Sequence, residues 1–567
     1  MAALAGVSVA VFVQLFNLAV RQNSELRQRS LGNLELRRRL DPPRGTIYDR
    51  DGLVLAETRF RYDVWLAPAR YGRRGWARTL DRLEVDTQRL GFLKDNFREA
   101  AYRASENGRR LLLARGLSLD EALPLLHGGK SYPALSVETV HQRIYHLSEG
   151  AALAVGYLGA IPEARGGEFP DERYARDSRV GIAGIEGIHE GDLAGFPGVA
   201  TARRGGGTET VETASAQPGR DCYLTLSGLW QEKAYEILSG RHGSIIVLDC
   251  DTGAIRVAAS APSFDPERPG GTGGEGETSF LFRAAAGLYP PGSTLKPFAL
   301  AAILEAGLHR PQETIECRGE FRLPGWSRPF HCTAAHGAVT AERALKVSCN
   351  TYFYRAGSEL GAERLLASYA RFGFGAEPGL SIPQQKAGRL PDAGSVAAGE
   401  LVNLSIGQGS LLATPLQVAR AYASLANGGA LPVAHLVEQW VLPDGSVLEP
   451  WRSAKATRTG LPAATRAVLI AGMGRAANES GGTASRAGFD PEWEVCGKTG
   501  TAENARNGVD AWFAGFYPES APRHVVVVHI EDAEGHGGDI AAPLAAELIA
   551  FMERPDAEAP DLAEAAP

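Results

Sequence analysis

At 567 residues the chain exceeds one ordinary domain, so two or three are expected. Apolar residues make up 44% and charged residues 22%, which excludes a disordered or fibrous protein and leaves ample material for a large core. A net charge of −7 gives no electrostatic reason to expect nucleic-acid binding.

From Ala2 to Val20 no residue is charged, and the polar side chains are Ser8, Gln14 and Asn17. About 20 apolar residues in a helix span a bilayer's hydrocarbon core. The run is long for a cleaved signal peptide and has no clear small-residue cleavage site before Arg21, so residues 1–20 are expected to be an uncleaved transmembrane anchor. Basic residues follow the span at Arg21, Arg27, Arg29 and Arg37 to Arg39, a flank that the positive-inside rule assigns to the cytoplasm. The motifs described below require the opposite orientation.

Residues 21–217 read as a first extramembrane region of short strands and polar helices, with an exposed linker around Gly205-Gly-Gly207. A second domain is expected over residues 218–553. It opens with strand candidates Gly243-Ser-Ile-Ile-Val-Leu-Asp249 and Ala254-Ile-Arg-Val-Ala-Ala-Ser260 around an Asp-Thr-Gly turn, a hairpin signal. Helices follow over Leu295 to Ala306 and Leu416 to Ala426. Further strands run over Ala511 to Phe516 and His524 to Ile530, before a last amphipathic helix over Ala542 to Met552. Strands at both ends with helices between predict an α+β domain whose sheet is closed by the terminal segments. Residues 554–567, rich in Ala, Pro, Asp and Glu, read as a disordered tail.

Three short motifs acquire meaning together. In Pro290-Pro-Gly-Ser293-Thr-Leu-Lys296-Pro, Ser293 falls where a helix begins and Lys296 lies one turn on, an amine beside a hydroxyl nucleophile. In Ser348-Cys-Asn350, the hydroxyl suits proton relay and the amide suits orientation of a substrate carbonyl. In Gly497-Lys498-Thr499-Gly500-Thr501, the glycines permit close approach of a ligand, and Lys498 with the two threonines suits a carboxylate terminus. A backbone N–H of this segment, with that of Ser293, would form an oxyanion hole. Each motif alone has a plain reading, as a chance match, a helix cap and a tight turn respectively. Lysine usage adds weight: the chain holds eight lysines against 51 arginines, and two of the eight sit in these motifs. A base must be able to lose its proton, which Lys does and Arg does not.

In this order the motifs resemble those of the class B penicillin-binding proteins, monofunctional D,D-transpeptidases of the serine penicillin-recognising fold. The resemblance extends to Pro43-Arg44-Gly45 through Ala56, to Gly181-Ile-Ala-Gly184-Ile-Glu186, and to Ile406-Gly-Gln-Gly409 through Gly429. Gly379 to Pro383 and Gly388 to Pro391 are closer to the elongation type than to the division type. One departure is Ser227, where relatives usually carry Asp.

The resemblance implies an antiparallel sheet flanked by helices, standing on an elongated mixed pedestal of the dimerisation type. It implies that Ser293 attacks a stem-peptide D-alanine carbonyl, Lys296 takes its proton, and Ser348 with Lys498 protonates the departing D-alanine. Asn350 would hold the donor peptide, and Thr499, Gly500 and Thr501 would bind the terminal carboxylate that β-lactams imitate. No cofactor is implied for catalysis. The implied partners are peptidoglycan stem peptides, a membrane glycan polymerase of the SEDS type, other elongation-complex proteins and β-lactams as inhibitors, on the extracytoplasmic side of a bacterial inner membrane. A β-lactamase would need a deacylating base, which no Glu motif supplies. A catalytically idle scaffold or a β-lactam sensor is the remaining alternative.

Cys317, Cys332, His336 and Cys349 form the pattern Cys-x14-Cys-x3-His-x12-Cys, which suits a tetrahedral structural zinc. A Cys317–Cys332 disulfide and buried free thiols are the competing readings.

Overall fold

The computed structural model describes residues 14, 16, 35–66, 81, 97–107, 109–127, 135–146, 149–203, 209–270, 276–448, 455–504 and 508–554. Nearly all of the expected anchor over 1–20, the Gly205-Gly-Gly207 linker and nearly all of the expected tail lie outside them. Among the described residues no helix is long and apolar enough to cross a membrane.

The second domain is built on a five-stranded antiparallel sheet. Its spatial order is Ile255–Ala261, Gly243–Asp249, His524–Ile530, Val509–Tyr517, Cys496–Glu503. The strand that opens the domain thus pairs with the strand that nearly ends it, Gly243 opposite Ile530 and Asp249 opposite His524. His524-Val-Val-Val-Val-His-Ile530 is apolar on both faces because both are covered: Val525 and Val527 join one core, Val526 and Val528 the other. The Pro415–Ala426 helix packs on the first face, and the Ala541–Met552 helix on the second. Thr414 starts the former with a capping box: its Oγ1 accepts the Gln417 N–H, and the Gln417 side chain accepts the Thr414 N–H.

The pedestal's main sheet crosses the expected boundary near residue 217. Ile47–Tyr48 pairs in parallel with Asp221–Leu224, which pairs in turn with Val437–Val441 from deep in the second domain. Asp49 strengthens the junction. Its Oδ1 accepts the N–H groups of Asp51 and Leu53, each at 2.8 Å, and its Oδ2 accepts that of Gly228 at 2.9 Å. It thereby caps the Gly228–Ile237 helix, whose own N-cap residue Ser227 makes no side-chain cap bond. Nearby, Arg44 is buried against Glu186 at 2.5 Å and Glu190 at 2.6 Å, and Arg143 binds Glu186 at 2.7 Å. This ionic cluster ties the Arg44 and Glu186 motifs together, and each buried charge in it has a partner of opposite sign.

Candidate active site

The Pro290-Pro-Gly run ends the preceding chain, and Gly292 takes the left-handed backbone (φ 56°) that a side chain would resist. A 3-10 turn over Gly292–Leu295 then carries half-buried Ser293 and leads into the Lys296–Glu305 helix. Pro297 sits in that helix's first turn, where its missing N–H costs nothing. Lys296 is fully buried, and its ammonium donates to Asn350 Oδ1 at 2.6 Å, Ser348 O at 2.8 Å and Ser348 Oγ at 3.1 Å. Burial draws its pKa down to about 7.

Ser348 occupies the left-handed region at φ 53°, uncommon for a non-glycine residue. That conformation turns both its carbonyl and its hydroxyl toward Lys296. The backbone then enters the Asn350–Leu360 helix with Cys349, fully buried, at the N-cap. Ser348 and Asn350 face Lys296, whereas Cys349 belongs to the core behind.

Lys498, Thr499, Gly500 and Thr501 lie on the edge strand Cys496–Glu503, not in a turn. A Cβ on Gly500 would come within 3.0 Å of both Pro291 O and Thr294 Cγ2, so glycine lets this strand press against the Ser293 turn. Lys498 is fully buried and donates to Thr499 O at 2.9 Å. Burial first, and then the charge of Lys296, pulls its pKa well below the ordinary lysine value.

Several contributors were not picked out from the sequence. The Thr483 and Thr499 hydroxyls are 2.7 Å apart, and Gly537 N–H donates to Thr501 Oγ1 at 3.2 Å. Thr483 follows a Gly-Gly pair and Gly537 sits in a Gly-His-Gly-Gly run, the local signals that could have drawn attention to them. Gln408, within the Ile406–Gly409 motif, reaches Thr501 O at 3.5 Å.

Behind the Ser348–Asn350 turn, the donor atoms of Cys317, Cys332, His336 and Cys349 all lie within 4.8 Å of one another. His336 Nδ1 is 3.6 Å from Cys317 Sγ and 3.5 Å from Cys332 Sγ, and the Cys332 and Cys349 sulfurs are 3.9 Å apart. Four ligands on a tetrahedral zinc, with Zn–S near 2.3 Å, stand roughly 3.8 Å apart, so the set has suitable size. All six cysteines are free, and the Cys317–Cys332 bridge is not formed. The Cys349 thiol first, and among the backbone donors the Asn350 N–H, which reaches Cys332 Sγ at 3.1 Å, draw the Cys332 thiol below its ordinary pKa.

Residues 243–550 match the penicillin-binding protein transpeptidase domain, and residues 39–224 match the penicillin-binding protein dimerisation domain. The chain belongs to the class B penicillin-binding proteins, elongation type. It is 30% identical to the peptidoglycan D,D-transpeptidase MrdA of Haemophilus influenzae over 95% of this chain and 89% of that one. It is 26% identical to the Escherichia coli K12 protein of the same name, over 88% and 82%. Among solved structures it is similar to a chain of a complex described as "Structural coordination of polymerization and crosslinking by a peptidoglycan synthase complex". That match has 27% identity, covers 97% of both chains and has a TM-score of 0.74. Pseudomonas aeruginosa PBP2 in complex with WCK 5153 matches at 25% identity, 93% and 99% coverage and a TM-score of 0.67. The α+β expectation and the division into pedestal and transpeptidase domain agree with this membership.

Proposed function

We propose that this chain is a serine-type peptidoglycan D,D-transpeptidase of cell-wall elongation, with Ser293 as its nucleophile. The observation that carries the assignment of roles is the buried Lys296, with its pKa near 7, bonded to Ser348 and Asn350 one turn beyond Ser293. Ser293 Oγ bonds to the carbonyl carbon of the penultimate D-alanine while its proton passes to neutral Lys296. The C–N bond to the terminal D-alanine breaks, and that amine leaves with a proton relayed through Ser348 and Lys498. A stem-peptide amine then attacks the ester, forms the new amide and returns Ser293 to its hydroxyl form. Asn350 orients the donor stem. Thr499 and Thr501 hold its carboxylate, Gly500 gives the strand the clearance to do so, and the N–H of Ser293 with one from this strand stabilises the oxyanion.

The Cys317, Cys332, His336 and Cys349 set holds a structural zinc in this reading, supported by its donor spacing and by the thiolate character of Cys332. The apolar run over residues 2–20 anchors the chain in the inner membrane with the catalytic domain outside, the side on which stem peptides are cross-linked. Similarity to a chain of a peptidoglycan synthase complex supports partnership with a SEDS-type glycan polymerase and other elongation proteins.

The test is covalent labelling by a fluorescent penicillin. Wild type takes a stable label and Ser293→Ala takes none. Rapid loss of label would favour a β-lactamase, and no label on folded wild type would favour an idle scaffold.

A further inference from the structure

Thr483 sits in the loop that follows the Ala463–Asn478 helix, far in sequence from the first two motifs. Its Oγ1 lies 2.7 Å from Thr499 Oγ1, and its N–H reaches Lys346 O at 3.3 Å, two residues before Ser348. At the start of the same loop Glu479 binds the Lys346 ammonium at 2.7 Å. The loop therefore touches both the helix end that leads into Ser348 and the strand that carries Thr499. On its other side the backbone of Gly538 lies so close that a Cβ there would be 2.2 Å from Thr483 O. These contacts fix the Thr483 backbone, and so its Cα, beside Thr499.

A hydroxyl carries one proton. When Thr499 spends that proton on a ligand carboxylate, its oxygen can no longer donate to Thr483 and is free to accept from it. A second donor is then needed to align the Thr499 rotor, and Thr483 is in place to supply it. We propose that Thr483 is a positioning residue for carboxylate recognition, donating to Thr499 so that the Thr499 proton points at the carboxylate of the donor stem or of a β-lactam. The hydroxyls form a directed chain in which each bond polarises the next. The inference rests on the transpeptidase reading above, because that reading places the carboxylate at Thr499.

The experiment compares wild type, Thr483→Val and Thr483→Ser in second-order acylation by a fluorescent penicillin and by the same penicillin as its carboxylate methyl ester. Valine has the shape of threonine and keeps the N–H to Lys346 O, so fold and loop are retained. Thr483→Val should acylate about tenfold more slowly with the free carboxylate, as expected for loss of support to a charged hydrogen bond. With the ester the two proteins should agree within about twofold, and Thr483→Ser should restore the free-acid rate. An equal loss with acid and ester would mean a purely structural role and overturn the inference, as would an unchanged free-acid rate in Thr483→Val. Failure of wild type to acylate at all is a different result, which removes the transpeptidase reading and this inference with it.

Discussion

Asn350 Oδ1 accepts the Lys296 ammonium at 2.6 Å, while the Asn350 N–H donates to Cys332 Sγ at 3.1 Å. One residue thus joins the buried Lys296 to the sulfur cluster behind it. A change on either side should therefore be felt on the other through Asn350.

Lys296→Arg keeps a cation and removes a base. Arg does not lose its proton in a protein, so acylation by penicillin should fall by about 10²–10⁴-fold, the usual contribution of a general base. Stopped-flow labelling measures this, and near-wild-type acylation in Lys296→Arg would rule out Lys296 as the proton acceptor.

Burial lowers the Lys296 pKa to about 7, so the neutral, basic form prevails above that pH. The acylation rate should therefore climb about tenfold per pH unit below 7 and level off above about 8. The stability effect has the same sign. In the unfolded chain Lys296 keeps its proton up to about 10.5 whereas the folded protein releases it near 7, so stability should rise with pH across that window. A flat acylation profile between pH 5.5 and 8.5 would contradict the assignment.

Purified protein should contain about one zinc per chain, and Cys332→Ser should lose it. Loss should lower the melting temperature by several degrees, since the metal ties the turn at Cys349 to Cys317, Cys332 and His336. Acylation should also slow, through Asn350. Elemental analysis and calorimetry check both effects; metal-free wild type with an unchanged melt would exclude the site.

Asp49→Ala should leave the N–H groups of Asp51, Leu53 and Gly228 without their acceptor. A loss of about 1–3 kcal/mol per buried donor left unsatisfied sets the scale. Denaturant unfolding should show it at the pedestal–catalytic junction, while penicillin acylation of the folded fraction stays unchanged.

Glu186→Ala should be costlier, because Arg44 and Arg143 lose the carboxylate between them. Breaking a buried pair from one side costs about 3–5 kcal/mol. Limited proteolysis of the pedestal reads this out, and a variant as resistant as wild type would show that Glu190 suffices.

Much of the catalytic half was legible because its signals are local. Gly243–Asp249 and His524–Ile530 are short apolar runs bounded by polar residues, and Ser293 to Lys296 is a single helical turn. Cys317, Cys332, His336 and Cys349 could be grouped from the sequence because thiols and imidazoles are few in this chain, and the structure brings their donor atoms together. The Lys498 segment shows what pattern alone leaves open: its two glycines are equally at home in a turn and in an edge strand pressed on a helix start. The pedestal sheet was harder. Asp221–Leu224 meets both Ile47–Tyr48 and Val437–Val441, and such short pairings are set by packing between distant segments rather than by a local motif. Thr483 was missed for the same reason: its partners Thr499 and Lys346 lie on other elements.

The pairing of Gly243–Asp249 with His524–Ile530 sets the order in which the enzyme is made. The sheet's centre stays open until nearly the whole sequence of this domain has been synthesised. Until then the edge of Gly243–Asp249 that awaits His524–Ile530 is a template for wrong partners. Non-local pairing of this kind folds slowly. A chain cut short before His524 would therefore carry all three motifs and lack the sheet on which they assemble.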